Sequence, residues 1–202
     1  MAFRTTQTLS DILKKYTIRY EQKPFPALSL DAKAPRQLQE DLAFTIRHVF
    51  YKISESAVCE NIIYPVLKEA WKPFSQSLAI WSHPTIKLNE ELTGIPDYVI
   101  GKQSELGIVV FDVPFVAVIE AKRDDFLNGW AQCVLEMYTI QQLNQDQNPV
   151  FGIVSNGDVW EIGELNGAVF TEFSTQFSID QLDKLYSALT YVLETCKRIY
   201  NL

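Results

Sequence analysis

Apolar positions recur at helical spacing in the first third of the chain, gather into short strand-like runs through its middle, and mix the two patterns in the last third. Residues 8–20 read as a short helix, followed over 21–34 by a polar loop containing Pro and Lys. Pro35 suits the first turn of a second helix, where its missing N–H costs nothing. Leu38, Leu42, Ile46, Val49, Phe50 and Ile53 supply that helix with a stripe. Ser54 or Ser56 can cap a third helix. Its stripe runs through Cys59, Ile62, Ile63, Val66, Leu67, Ala70 and Phe74, and Pro65 is expected to kink or restart it.

The period then changes. Residues 78–88, 95–101, 107–112 and 115–121 are apolar, β-branched and bounded by turn residues, so they read as strands. Residues 124–144 return to helix, with Phe126, Trp130, Cys133, Val134, Met137 and Ile140 on one side. Three strands are predicted over 149–154, 158–163 and 167–173, separated by the hairpin signals Asn156-Gly157 and Asn166-Gly167. Ser178 with Gln181 forms a capping box before a terminal helix striped from Leu182 to Ile199. The order predicts an α/β fold, a central mixed β-sheet flanked by helices.

Composition narrows the function classes. With 47% hydrophobic and 21% charged residues in 202, the chain has the makings of a sizeable core. No apolar run approaches the roughly 20 residues that span a bilayer. Met1 to Thr6 lacks the apolar stretch of a secretory signal. Three scattered cysteines, Cys59, Cys133 and Cys196, fit a reducing compartment such as the cytoplasm, with neither a disulfide framework nor a zinc site. A net charge of −7 argues against a broad, sequence-independent grip on nucleic acid. It leaves room for a local basic patch and for carboxylates that a metal would neutralise.

The chemistry gathers between Asp97 and Lys122. Asp97 follows Pro96 in the run Gly94-Ile95-Pro96-Asp97-Tyr98-Val99-Ile100, and Glu120-Ala121-Lys122 closes the run begun at Phe115. On a strand, Glu120 and Lys122 point to one face and Ala121 to the other. Two acids and a lysine at neighbouring strand ends suit phosphodiester cleavage. Mg²⁺ prefers a few carboxylates and retains several waters. Asp97 and Glu120 are the candidate ligands, the Ala121 carbonyl can complete the shell, and Lys122 can orient or help deprotonate the attacking water. As a base, Lys122 would need its pKa lowered by desolvation.

Pro96-Asp97 followed by Glu120-Ala121-Lys122 resembles the PD-(D/E)XK nuclease superfamily, the restriction-endonuclease-like fold. Glu55 through Leu67, a Glu followed ten positions later by Pro65-Val66-Leu67, resembles the first core helix of the N-terminal nuclease region of type I restriction subunits. That likeness implies a helix glutamate assisting the metal, with Glu55 matching by its distance to Pro65 and Glu60 as competitor. It also implies a site-facing glutamine at Gln132, though the position four residues on, often Tyr in the family, is Glu136. Val150 to Trp160 resembles the family's strand–turn–strand. The likeness covers residues 55–163 and implies one nuclease-like domain over 1–202, with an N-terminal helical extension over 1–54 and a C-terminal strand and helix over 164–202. The implied activity is Mg²⁺- or Mn²⁺-dependent hydrolysis of DNA, ahead of RNA, by a homodimer or as part of a larger restriction or repair complex, without a membrane role. The competing expectation is a non-catalytic member of the same fold that binds nucleic acid or protein.

Other polar residues carry blander readings. His48 lies mid-helix and His83 precedes Pro84 in a turn, with no metal-ligand spacing between them. Arg123 reads as a solvated basic residue. No Gly-rich phosphate loop, nucleophile elbow or dinucleotide fingerprint is present. Trp71, Phe74, Trp130 and Tyr138 fall at helical spacing and read as core.

Overall fold

Thr8 opens the first helix. Its hydroxyl accepts from the Asp11 N–H at 3.2 Å, and the Asp11 carboxylate accepts from the Thr8 N–H at 3.0 Å. This reciprocal cap starts α1 (Leu9–Lys15). The computed structural model describes residues 7–26, 31–123 and 125–202. The N-terminal stretch read for a signal, residues 27–30 of the expected loop, and residue 124 at the expected start of a helix lie outside the described residues. Helix α1 ends before residue 20. Thr17 turns to φ 55, and Arg19–Lys23 forms strand β1. The cause is tertiary, because β1 runs parallel to a late strand and closes one edge of the sheet.

Helix α2 (Arg36–His48) buries Leu38 and Leu42. The stripe expected to continue to Ile53 stops short, leaving Phe50 and Ile53 exposed. The next helix comes in three parts: α3 (Glu55–Val58), a π turn (Cys59–Ile63) and α4 (Tyr64–Trp71). Ser54 caps it, accepting from the Ala57 N–H at 3.1 Å. Pro65 explains the π turn. It has no N–H for the Asn61 carbonyl, and its ring would strike that carbonyl in a regular helix. The Tyr64 N–H instead reaches back five residues to the Cys59 carbonyl. The Asn61 side-chain amide takes up the Ala57 carbonyl at 2.8 Å.

The remaining elements are β2 (Leu78–Ser82), β3 (Ile86–Lys87), β4 (Thr93–Gly94), β5 (Tyr98–Lys102), β6 (Phe115–Ala121), α5 (Phe126–Asn144), β7 (Val150–Ser155), β8 (Val159–Asn166), β9 (Val169–Phe173), β10 (Phe177–Ser178) and α6 (Leu182–Ile199). An eight-stranded mixed sheet runs β1-β9-β8-β7-β6-β5-β2, with β10 on β8. The pairs β6–β7 and β1–β9 are parallel and the rest antiparallel. One face packs on α2, α4 and α6. The other packs on α1 and α5. Every residue of β6 is therefore buried. The Asn144 side chain bonds both backbone groups of Phe115, at 2.9 and 2.7 Å, tying the end of α5 to the start of β6.

Three expected elements change. The run 78–88 breaks at His83, whose φ is 50. Residues 107–112 are a loop, with Ile108 and Val109 more than 80% exposed. Ser178 caps a short 3₁₀ turn (Ile179–Gln181) through the Asp180 N–H at 3.2 Å, in place of a box with Gln181, and α6 follows. The two Asn-Gly hairpins form as read, with Gly157 at φ 88 and Gly167 at φ 55. All three cysteines are buried and free. Among the described residues, no helix is long and apolar enough to cross a membrane.

Candidate functional site

The antiparallel register of β5 and β6 pairs Tyr98 with Ile119. Continued by one residue, it sets Asp97 across from Glu120. Directly opposed residues share a face, and here it is the face covered by α5. Asp97 lies just before β5, and its Oδ2 accepts from the Ala121 N–H at 2.8 Å. Ala121 thus holds one acid while its side chain packs into the opposite core. Lys122, on the face of Glu120, places Nζ 3.5 Å from Glu120 Oε2. The pattern read from the sequence brings Asp97, Glu120 and Lys122 together.

Burial dominates the electrostatics. Asp97 is raised above the usual carboxylate range, chiefly by burial, despite the Ala121 N–H and the charge of Lys122. Glu120 is buried, and its pKa rises, first through desolvation and then through the charge of Asp97. For Lys122, burial alone would lower the pKa, but Glu120, Glu55 and Asp97 together outweigh it. The ammonium is held above its ordinary value. That direction favours the role of a fixed positive group over that of a base, for which desolvation would have to lower the pKa.

The flanking helices contribute unequally. Glu55 is exposed at the start of α3, and its charge acts on both Lys122 and Asp97. Glu60, also exposed, faces a neighbouring cleft with Ser56 and Tyr64. Gln132 does not reach the acids directly. Its amide donates to Glu136 Oε1 at 3.3 Å, and Glu136 is the residue in contact with Glu120. The two carboxyls lie within hydrogen-bonding reach, and burial together with the charge of Glu120 holds Glu136 well above its ordinary range. Glu120 Oε1 and Glu136 Oε2 have no other partner. A single proton between the two carboxyls would give each a partner. The chain Gln132–Glu136–Glu120 is thus a line of side chains from α5 into the sheet.

Gly129 permits this closeness. A Cβ there would meet Val154 Cγ1 at 2.6 Å and Lys122 Cγ at 3.0 Å, so only glycine lets the first turns of α5 lie against the lysine. Arg123 is exposed and lines a pocket of about 120 Å³ with Lys52, Val58, Asn156 and Asp158.

Sequence reasoning passed over two residues. Glu136 was marked only as a departure from a pattern, although its spacing of four from Gln132 puts both on one helix face. His83 was set aside as a turn residue. Its Nε2 lies 3.4 Å from Asp97 Oδ1, and its N–H donates to the Asp97 carbonyl at 2.9 Å. The one sequence signal for it was its place after an apolar run and before a proline. Among the described residues, no three His, Cys, Asp or Glu side chains surround one point as metal ligands. The chain matches no family model and no curated protein.

Proposed function

We propose that the protein is a metal-dependent nuclease of the PD-(D/E)XK superfamily, hydrolysing phosphodiester bonds in DNA. The observation that carries the reading is the meeting of Asp97, Glu120 and Lys122 at adjoining strand ends, with a buried carboxylate oxygen of Glu120 lacking any donor outside the acid pair. That oxygen and the like charges around it fit a hard divalent cation, which would relieve the repulsion that raises Glu120. Asp97 and Glu120 would hold Mg²⁺ or Mn²⁺, with the Ala121 carbonyl beside them. When bound, the ion neutralises phosphate charge and favours ionisation of water.

The chain's own groups do the rest. The Lys122 ammonium, fixed among three carboxylates, donates hydrogen bonds to the phosphate oxygens and orients the attacking water. The Ala121 N–H fixes the angle of the Asp97 carboxylate. Glu136, pushed toward its neutral form by burial, lies within hydrogen-bonding reach of Glu120 and would steady it, with Gln132 behind it. Glu55 adds negative charge at the exposed rim, which favours retention of a cation.

A second reading, a non-catalytic binding module of the same fold within a defence or repair complex, draws on one specific observation. Glu136 lies within hydrogen-bonding reach of Glu120, and a proton between the two carboxyls would partner the buried acid without any cation. The test is incubation of plasmid, linear and single-stranded DNA with the protein and Mg²⁺ or Mn²⁺, beside Asp97→Asn and Lys122→Ala proteins of matched folding. Cleavage by the wild type alone supports the nuclease. Equal cleavage by Asp97→Asn refutes it. An intact protein that neither cuts nor binds either metal favours the binding module.

A further inference from the structure

The end of β2 is built around His83. Its φ of 50 lies in the left-handed region, which non-glycine residues seldom occupy. The residue is held there by its N–H bond to the Asp97 carbonyl. The same turn fixes the ring on both sides. Nδ1 is 2.8 Å from Ser82 Oγ, and Nε2 is 3.4 Å from Asp97 Oδ1. Because Asp97 Oδ2 is taken by the Ala121 N–H, Oδ1 is the oxygen left to face the imidazole. The ring is about half exposed, at 53%, and lines a cleft of about 540 Å³ with Tyr98, Tyr64 and Cys59. The cleft gives solutes a path to the imidazole.

We propose that His83 is a ligand, through Nε2, of the same divalent ion that Asp97 holds through Oδ1, and that this nitrogen donor makes the site prefer Mn²⁺ over Mg²⁺. The inference rests on the metal site of the nuclease reading. Two donors bound to one ion at about 2.0–2.2 Å stand about 3.0–3.5 Å apart, depending on the coordination number, and the pair already has that spacing. Ser82 supplies the outer hydrogen bond that metal-bound imidazoles ordinarily make. The tautomer in which Nδ1–H donates to that hydroxyl is the one that turns the Nε2 lone pair to Asp97 and leaves it open to a metal ion. Glu120 supplies the independent sign of a missing partner, a buried oxygen without a donor. It is still engaged with Glu136, so only two side chains stand at ligand spacing, and its turn toward the ion would complete a His–Asp–Glu set. Imidazole suits transition metals, whereas Mg²⁺ keeps to oxygen, so a histidine here is a statement about which ion is used.

The chain has two histidines, and His48 is exposed on α2, so the His48→Ala protein makes an imidazole signal assignable. The experiment uses the untagged full chain with Mn²⁺ alone. Binding is followed by loss of the free-ion electron paramagnetic resonance signal, and ligation by spin-echo modulation from ¹⁴N. His83→Asn is the main variant because asparagine tolerates the left-handed backbone, and its fold is checked by circular dichroism. We expect bound Mn²⁺ to carry imidazole modulation in the wild type and in His48→Ala. We expect His83→Asn to lose the modulation and about tenfold or more in Mn²⁺ affinity, while Mg²⁺ affinity, read by competition, moves far less. Bound Mn²⁺ without nitrogen modulation in the wild type, together with its loss in Asp97→Asn, would overturn the role of His83 and leave the carboxylate site standing. A wild type that binds no Mn²⁺ would overturn both.

Discussion

The two ends of β6 invert the usual division between inside and outside. Before its first residue, the loop leading from β5 exposes Leu106, Ile108 and Val109 almost fully. At its last turn, Glu120 is buried at 1% exposure beside a second buried acid, Glu136. Scattered apolar residues on a surface cost little and need no explanation. A buried carboxylate costs several kcal/mol unless it is paired, protonated or bound to a cation. The contrast teaches where to look for function: the expensive end of the strand, where two acids are kept out of water beside a half-buried lysine, is the informative one.

Four predictions sharpen or break that contrast. The largest effect is expected at the buried end: Asp97→Asn or Glu120→Gln should lower the proposed DNA cleavage by at least about a hundredfold, with the circular dichroism spectrum unchanged. Wild-type rates in either variant would remove the meaning given to the burial. Next, Gly129→Ala should destabilise the protein by about 1–3 kcal/mol, measured by chemical denaturation, because its methyl must displace Val154 or the stem of Lys122. A neutral result would mean that α5 does not press on the lysine.

Third in size is a pH effect. Glu136 has its folded pKa raised by burial and by Glu120, so its stabilising contribution is complete below the unfolded value and declines as pH rises toward the folded one. Glu136→Gln, which carries no such charge, should therefore gain on the wild type as pH increases, by on the order of 1 kcal/mol for each pKa unit crossed. Thermal melts between about pH 5 and about pH 9 check the sign, and a gap that narrows with rising pH would contradict it. The smallest effect belongs to the other end of the strand. Serine at Leu106, Ile108 and Val109 should shift stability by no more than about 0.5 kcal/mol each and leave cleavage untouched.

What the sequence made legible follows from the range of the forces involved. The stripes of α4, α5 and α6, the Asn-Gly hairpins and the strand ending in Glu120-Ala121 are local patterns, and each appears at its expected place. Arg19–Lys23 was unreadable because its strand character comes from β9, roughly 150 positions away along the chain. Residues 107–112 looked like a strand by composition, but no neighbouring strand takes them up, and β-propensity records a fit to a sheet rather than a backbone preference. In the site, the motif order located Asp97, Glu120 and Lys122. Glu136 and His83 acquire meaning only from what they touch, through an acid on another element in one case and across a strand end in the other. The state of Lys122 was likewise out of reach, because it depends on three carboxylates outweighing desolvation.

The wide turn at Cys59–Ile63 has a mechanical consequence. It takes up one residue more than a regular turn without lengthening the rod, so the segment before it is wound about 100° away from the phase set by α4. Glu55 sits on that early segment, and its bearing toward Lys122 is fixed by this gearing as much as by its own position in the chain. Deleting a single residue within the turn, with Pro65 replaced by alanine, would mesh the two segments into one continuous screw and swing the Glu55 carboxylate around the axis.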